Sequence, residues 1–207
     1  MRTLLHIDSS PMGDDSVSRR LTREFVNRWR AANPQGRVIH RDLAAIAIPV
    51  IDAEWVAANY TPPAARTARQ NDLLSRSRGF IAELAEADDY VLGMPVHNWG
   101  PSASFKLWVD QIVTPTGPKL HNKRATFIIA AGRLSRPGST HGSENHIEPW
   151  LRTVFGRFGV EDVRFLLADN TADLRAGITD LPAFLAPHIE TIHSFFAEDT
   201  AFQTRSA

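Results

Sequence analysis

Three loop segments carry the residue types that could do chemistry. The first reads Ser9-Ser10-Pro11-Met12-Gly13-Asp14-Asp15-Ser16-Val17-Ser18, between a short apolar run and a helical pattern. The hydroxyls of Ser10, Ser16 and Ser18 sit where the first helical turn leaves backbone N–H groups free, those around Val17 among them. A helix N-terminus carries roughly half a positive charge, so the segment suits an anion, a phosphate above all. It holds neither the G-x-G-x-x-G of dinucleotide sites nor a P-loop lysine. The plainer role for Ser16 or Ser18 is to cap the helix.

The second segment is Met94-Pro95-Val96-His97-Asn98-Trp99-Gly100-Pro101-Ser102. Trp99 offers a stacking face, and His97, Asn98 and the backbone offer groups for the edge of a planar heteroaromatic ligand. The alternative is a core tryptophan followed by a turn, with Pro101 opening a helix. The third segment is Ala130-Ala131-Gly132-Arg133. Gly132 permits close backbone approach, and Arg133, like Arg136 beyond it, could meet a cofactor phosphate or simply be solvated.

Two other constellations compete. Gly100-Pro101-Ser102-Ala103-Ser104 is a near miss of the G-x-S-x-G elbow that would make Ser102 the nucleophile of a serine hydrolase. The second glycine is absent, and the serine lies several residues past the strand. His141, Glu144, His146 and Glu148 suggest a metal cluster, but the histidines are not at the i, i+4 spacing of a helical zinc motif.

The elements that must position these loops follow from hydrophobic period. Strands are expected at 3–8, 37–43, 90–94, 125–131 and 163–168, with loops at 95–101 and 132–143. Helices are expected at 16–32, from Asp52 over a short stretch, at 64–87, along Phe105-Trp108-Val109-Ile112, along Trp150-Leu151-Val154-Phe155-Phe158, and at 181–197. Strand–helix alternation predicts an α/β three-layer sandwich around a five-stranded parallel sheet of flavodoxin-like order 2-1-3-4-5, as one domain over 1–207. Ligands bind beyond the carboxyl ends of such strands, where all three loops fall.

Composition narrows the function. The 207 residues carry 23 basic and 23 acidic side chains, so no basic footprint for nucleic acid or an anionic membrane is present. The absence of cysteine excludes disulfides, thiolate nucleophiles and Cys-ligated metals. The charged N-terminal stretch and the lack of a long apolar run lead to the expectation of a cytoplasmic protein.

The wording of these loops resembles the FMN-dependent NAD(P)H:quinone oxidoreductases known as azoreductases. The matching stretches are Ser9-Ser10 with Ser16-Val17-Ser18; Pro95-Val96-His97-Asn98-Trp99 with Ser102, Phe105-Lys106 and Asp110; and Glu148-Pro149-Trp150-Leu151 through Phe158 to Val163. The third loop departs from the family's usual Ser-Arg-Gly-Gly, and Val96-His97 stands where Met-Tyr is common. The resemblance implies FMN as bound cofactor, with Ser10, Ser16, Val17 and Ser18 at its phosphate. Pro95, Val96, His97, Asn98 and Trp99 would lie along the isoalloxazine ring, and Ala131, Gly132 and Arg133 at its edge. It also implies NADH or NADPH as donor, a quinone or azo acceptor, and a homodimer; Trp55 and Trp108 are candidates either for its interface or for core packing. A single cleft serving donor and acceptor in turn leads to the expectation of ping-pong turnover. No protein acid or base is required, because the flavin carries the chemistry and His97 and Asn98 orient. A non-catalytic electron carrier of the same fold is the other reading; the zero net charge speaks against it, since docking on redox partners is steered by charge.

Overall fold

The apolar run at the start of the chain becomes β1 (Thr3–Asp8), buried along its whole length. A strand buried on both faces needs helices above and below, and the chain supplies them. The computed structural model describes residues 1–115, 117–133 and 145–205. Helix α1 (Val17–Ala32) leads to β2 (Arg37–Asp42), then α2 (Ala53–Tyr60), α3 (Ala68–Leu73) and α4 (Ser75–Glu86). Next come β3 (Asp89–His97), β4 (Gly100–Pro101), α5 (Ala103–Ile112) and β5 (Arg124–Ala130). The chain ends through α6 (Ile147–Arg157), β6 (Asp162–Ala168), α7 (Thr171–Arg175) and α8 (Leu181–Arg205).

The sheet order is β2-β1-β3-β5-β6, parallel throughout, with the two-residue β4 pairing antiparallel to β3. Counting the five long strands, this is the expected 2-1-3-4-5 order. Alternation divides each central strand between two cores. Leu5, Ile7, Tyr90, Leu92, Met94, Phe127 and Ile129 pack with α4, α5 and α6, while Leu4, Val91 and Ile128 pack with α1 and α8. The predicted stripe of α1 (Val17, Leu21, Phe25, Val26, Trp29) is its buried face. Trp29 also donates its indole N–H to Asp89 at 2.8 Å, which joins the helix to the start of β3.

Three expectations need correction. The helix expected over 64–87 is divided: a 3₁₀ turn at Pro63–Ala65, then α3 and α4, which meet at Leu74. Thr67 and Gln70 form a reciprocal capping box that starts α3. At the break, Leu74 is buried with Trp55 and Ala58, so packing there outweighs helical continuity. The segment expected as a loop over 95–101 is a hairpin, because β3 runs on to His97 and pairs with β4. Finally α7 was not foreseen, and α8 continues past 197 to Arg205.

Register fixes where the loops emerge. Asp8 lies opposite Asp42 on one side and Gly93 on the other; Pro95 lies opposite Ala130, and Ala130 opposite Ala168. The segments beginning at Ser9, Met94 and Ala131 therefore leave the same edge of the sheet, side by side. Gly93 makes this edge possible. A Cβ there would stand 2.6 Å from Thr22 Cγ2 and 3.0 Å from Asp8 Oδ1. Gly93→Ala should cost ~1–3 kcal/mol, the usual range for overpacking a filled site. Urea unfolding would show it as a lowered midpoint with unchanged m-value.

Candidate functional site

The first loop leaves β1 through Ser9, whose amide and hydroxyl both donate to the Gly93 carbonyl at 3.1 Å. A 3₁₀ turn at Gly13–Asp15 then delivers the chain to Ser16, the N-cap of α1. Ser16 Oγ accepts the Arg19 amide and lies 3.1 Å from Ser18 Oγ. The capping role is thus real, and it holds two hydroxyls together at the helix N-terminus. Ser10, Ser16, Val17 and Ser18 are all buried, Ser18 completely. The Ser10 hydroxyl accepts the Met12 amide at 3.3 Å.

Arg19 locks this loop. Its guanidinium donates twice to the Ser10 carbonyl, at 2.9 and 2.7 Å, and to Asp42 at 2.7 Å. One side chain thereby ties loop, helix and β2. The first-turn amides at Val17 and Ser18 have no acceptor within the helix, and the Nε of Arg20, in the same turn region, is buried without a hydrogen-bond partner among the described residues. Paired buried hydroxyls and first-turn amides are donors of the kind a phosphate requires.

The second loop is the β3–β4 hairpin. His97 and Gly100 pair, and Asn98 and Trp99 form the two-residue turn with φ of 50° and 61°. Positive φ at both central positions is a type I′ turn, which asparagine followed by glycine favours. Asn98 suits it, whereas a tryptophan there is strained. Trp99 is 61% exposed at the tip and is not the core aromatic of the alternative reading. Pro95 and Val96 are half-buried, and His97 and Asn98 are exposed. The strained tryptophan is thus presented to solvent at the hairpin tip, above the strand ends.

In the third loop Ala131 is buried. Its amide donates to Ala168 and its carbonyl accepts from Thr171, while the Gly132 carbonyl accepts from Ala172. The backbone of Ala131 therefore joins β5 to the turn before α7, leaving half-buried Gly132 and exposed Arg133 at the edge. Arg136 lies outside the described residues, as do His141 and Glu144 of the metal candidate. Of the latter, Glu148 is bonded by Asn145 at the start of α6. Ser102 is buried ahead of α5, with its hydroxyl 3.4 Å from Ser104 Oγ and no histidine bonded to it among the described residues. That arrangement is not a nucleophile elbow. Trp55 and Trp108 are buried inside the chain and are not interface aromatics.

Sequence reasoning missed two contributors: Arg19, and Ser104, whose hydroxyl donates to the Ser9 carbonyl at 3.3 Å and links α5 to the first loop. No spacing pattern marks these residues, since their partners are distant in sequence.

Comparison with known proteins identifies the chain. Residues 2–196 match the flavodoxin-like fold family. A protein of Burkholderia lata named FMN-dependent NADH:quinone oxidoreductase 3 is 54% identical over 207 residues, covering 95% of this chain and 100% of that one. The chain belongs to this family of FMN-dependent NADH:quinone oxidoreductases. An oxidoreductase of the same name from Acidobacterium capsulatum is 42% identical over 203 residues, covering 93% of this chain and 98% of its own. The structure of a Bacillus anthracis FMN-dependent NADH-azoreductase in complex with FMN superposes with a TM-score of 0.81 at 18% identity, over 96% of this chain and 99% of that one. At that identity the likeness establishes the shared fold. No helix among the described residues is long and apolar enough to cross a membrane.

Trp99→Gly restores the residue a type I′ turn favours. Removing the strain should stabilise the free protein by ~1 kcal/mol, measured as an upward shift of the urea midpoint. A lowered midpoint would mean that Trp99 packs more than it strains.

Proposed function

We propose that this chain is an FMN-dependent oxidoreductase that passes two electrons from NADH to a quinone or azo compound. The full-length match at 54% identity carries the reading, and the three adjoining loops at the carboxyl edge of the sheet supply a site of the required chemistry. When bound, FMN supplies the redox chemistry, accepting hydride equivalents from the nicotinamide donor and releasing two electrons to the acceptor.

The chain's own part is to bind, orient and exclude water. Ser10, Ser16, Ser18 and the amides near Val17 hold the phosphate at the N-terminus of α1. Arg19 keeps that loop closed through the Ser10 carbonyl, to which its guanidinium donates. Pro95, Val96, His97, Asn98 and Trp99 form the wall along the flavin ring, with His97 and Asn98 as orienting groups. Ala131, Gly132 and Arg133 form the rim, Ala131 by anchoring it and Arg133 by placing positive charge beside the ring edge. The whole forms a single domain, which we place in the cytoplasm.

We assign the homodimer to the surface around Val50 and Val113, large apolar side chains exposed in the single chain. Gln111 donates to the Pro49 carbonyl at 3.2 Å, which brings Val50 and Val113 to one region. Sedimentation equilibrium should give twice the chain mass.

Two measurements test the reading. Charge-assisted hydrogen bonds contribute about 1.5–3 kcal/mol each, so Ser10→Ala/Ser18→Ala should bind FMN at least about tenfold more weakly with its fold intact. Unchanged affinity in a titration of the apo-protein would remove the phosphate assignment. For turnover, FMN-loaded protein should oxidise NADH with a benzoquinone and give parallel double-reciprocal lines, because donor and acceptor use one opening in turn. Absence of NADH oxidation with any quinone would favour the electron carrier, and intersecting lines would exclude the shared opening.

A further inference from the structure

On the α1 side of the sheet, below the first loop, three side chains converge that the proposed flavin site does not use. His6 and Asp8 stand on β1, and His40 stands opposite His6 on β2. His40 Nε2 lies 3.1 Å from Asp8 Oδ2, and His6 Nε2 lies 3.1 Å from the same oxygen. The two imidazoles are stacked, with centroids 4.4 Å apart and planes at 27°.

We propose that His6, Asp8 and His40 form a binding site for one divalent first-row transition ion, of which Zn2+ is the representative. Four observations carry the assignment. One nitrogen from each histidine and one carboxylate oxygen all lie within 4.8 Å of one another. Ligands around zinc, at bond lengths of about 2.0–2.2 Å, stand roughly 3.3 Å apart in a tetrahedron, close to the 3.1 Å found here.

Second, His6 is only 9% exposed, and its Nε2 has no hydrogen-bond partner among the described residues. Asp8 Oδ2 lies 3.1 Å away as a charge contact rather than a hydrogen-bond partner. A buried imidazole nitrogen aimed at a carboxylate without a bond is costly, and a metal bond would satisfy it.

Third, the surroundings carry net negative charge. Arg19 lies 3.7 Å from Asp8 but is paired with Asp42 at 2.7 Å, so one cation faces two carboxylates.

Fourth, the carboxylate is held from behind. The Thr22 hydroxyl donates to Asp8 Oδ1 at 2.9 Å, leaving Oδ2 as the ligand atom.

Two imidazoles and one carboxylate select transition ions over Mg2+ or Ca2+, which take oxygen ligands. The His40 side chain is 49% exposed, so its ring can turn out of the stack toward the ion, and solvent fills the remaining coordination positions. His40 now donates its Nε2 proton to Asp8. On binding, that proton moves to Nδ1 through solvent, the imidazole stays neutral, and Nε2 bonds the ion.

The test is equilibrium dialysis of the purified protein against buffered Zn2+, with bound metal measured by mass spectrometry and ligands counted by X-ray absorption. One ion per chain and two imidazole ligands are expected. His40→Ala should weaken binding at least tenfold and remove one imidazole from the absorption spectrum. His40→Phe, which keeps the ring stack but has no nitrogen ligand, should do the same with an unchanged near-UV spectrum. His193→Gln, at a half-exposed histidine paired with Glu24, should leave both readings as they were. No bound zinc in the wild-type chain, or wild-type affinity in His40→Phe, overturns the site. These readouts are independent of flavin content and turnover, so they stand or fall apart from the proposed function.

Discussion

The buried carboxylate of Asp8 is the constraint on which the carboxyl edge of this sheet depends. A charge removed from water must be paired or hydrogen-bonded, or the fold loses several kcal/mol. Burial alone would raise the Asp8 pKa. Contacts with His40, His6 and Thr22 outweigh it and hold the carboxyl well below the usual carboxylate range. Satisfying this one group brings together β1, its neighbour β2 and helix α1. It also requires Gly93 at the facing position of β3, where a side chain would collide with Thr22.

The phosphate loop inherits its shape from that arrangement. Arg19 lies between the carboxylates of Asp8 and Asp42 and spends its remaining donors on the Ser10 carbonyl. The loop is therefore held by backbone and guanidinium contacts together with the hydroxyls of Ser9, Ser10 and Ser16. Its other wall comes from α5, whose Ser104 reaches the Ser9 carbonyl. Preorganised donors bind an anion without the entropy cost of ordering a loop first. By contrast, the hairpin at 94–101 stores strain. A tryptophan in the left-handed region costs stability, and it persists because the β3–β4 pairing over-determines the turn.

The helix expected over 64–87 teaches a related lesson. Apolar period and propensity do not reveal a break at Leu74, because the break comes from burial against Trp55, far away in sequence. Next to it, a buried chain of hydrogen bonds runs from the Trp55 indole to Ser77 and from Ser77 to Gln111. Each partner is ordinary in its local context, and only their meeting makes the polar groups tolerable inside the core.

The sequence by itself determined the strand–helix alternation, the sheet order, the capped start of α1 and the three loops that hold the candidate site residues. The alternation, the cap and the loops depend on short-range period, turn chemistry and caps, which act between residues a few positions apart, and the sheet order follows from that alternation as the doubly wound topology. Its wording in those loops also pointed to the flavin family. Only the tertiary structure decided that Trp99 is exposed at a strained turn, that Trp55 and Trp108 are interior, that Arg19 closes the phosphate loop, and that His6, Asp8 and His40 meet. Those facts depend on strand register and on pairs separated by many residues, and register is set by the packing of whole elements, which no local spacing encodes.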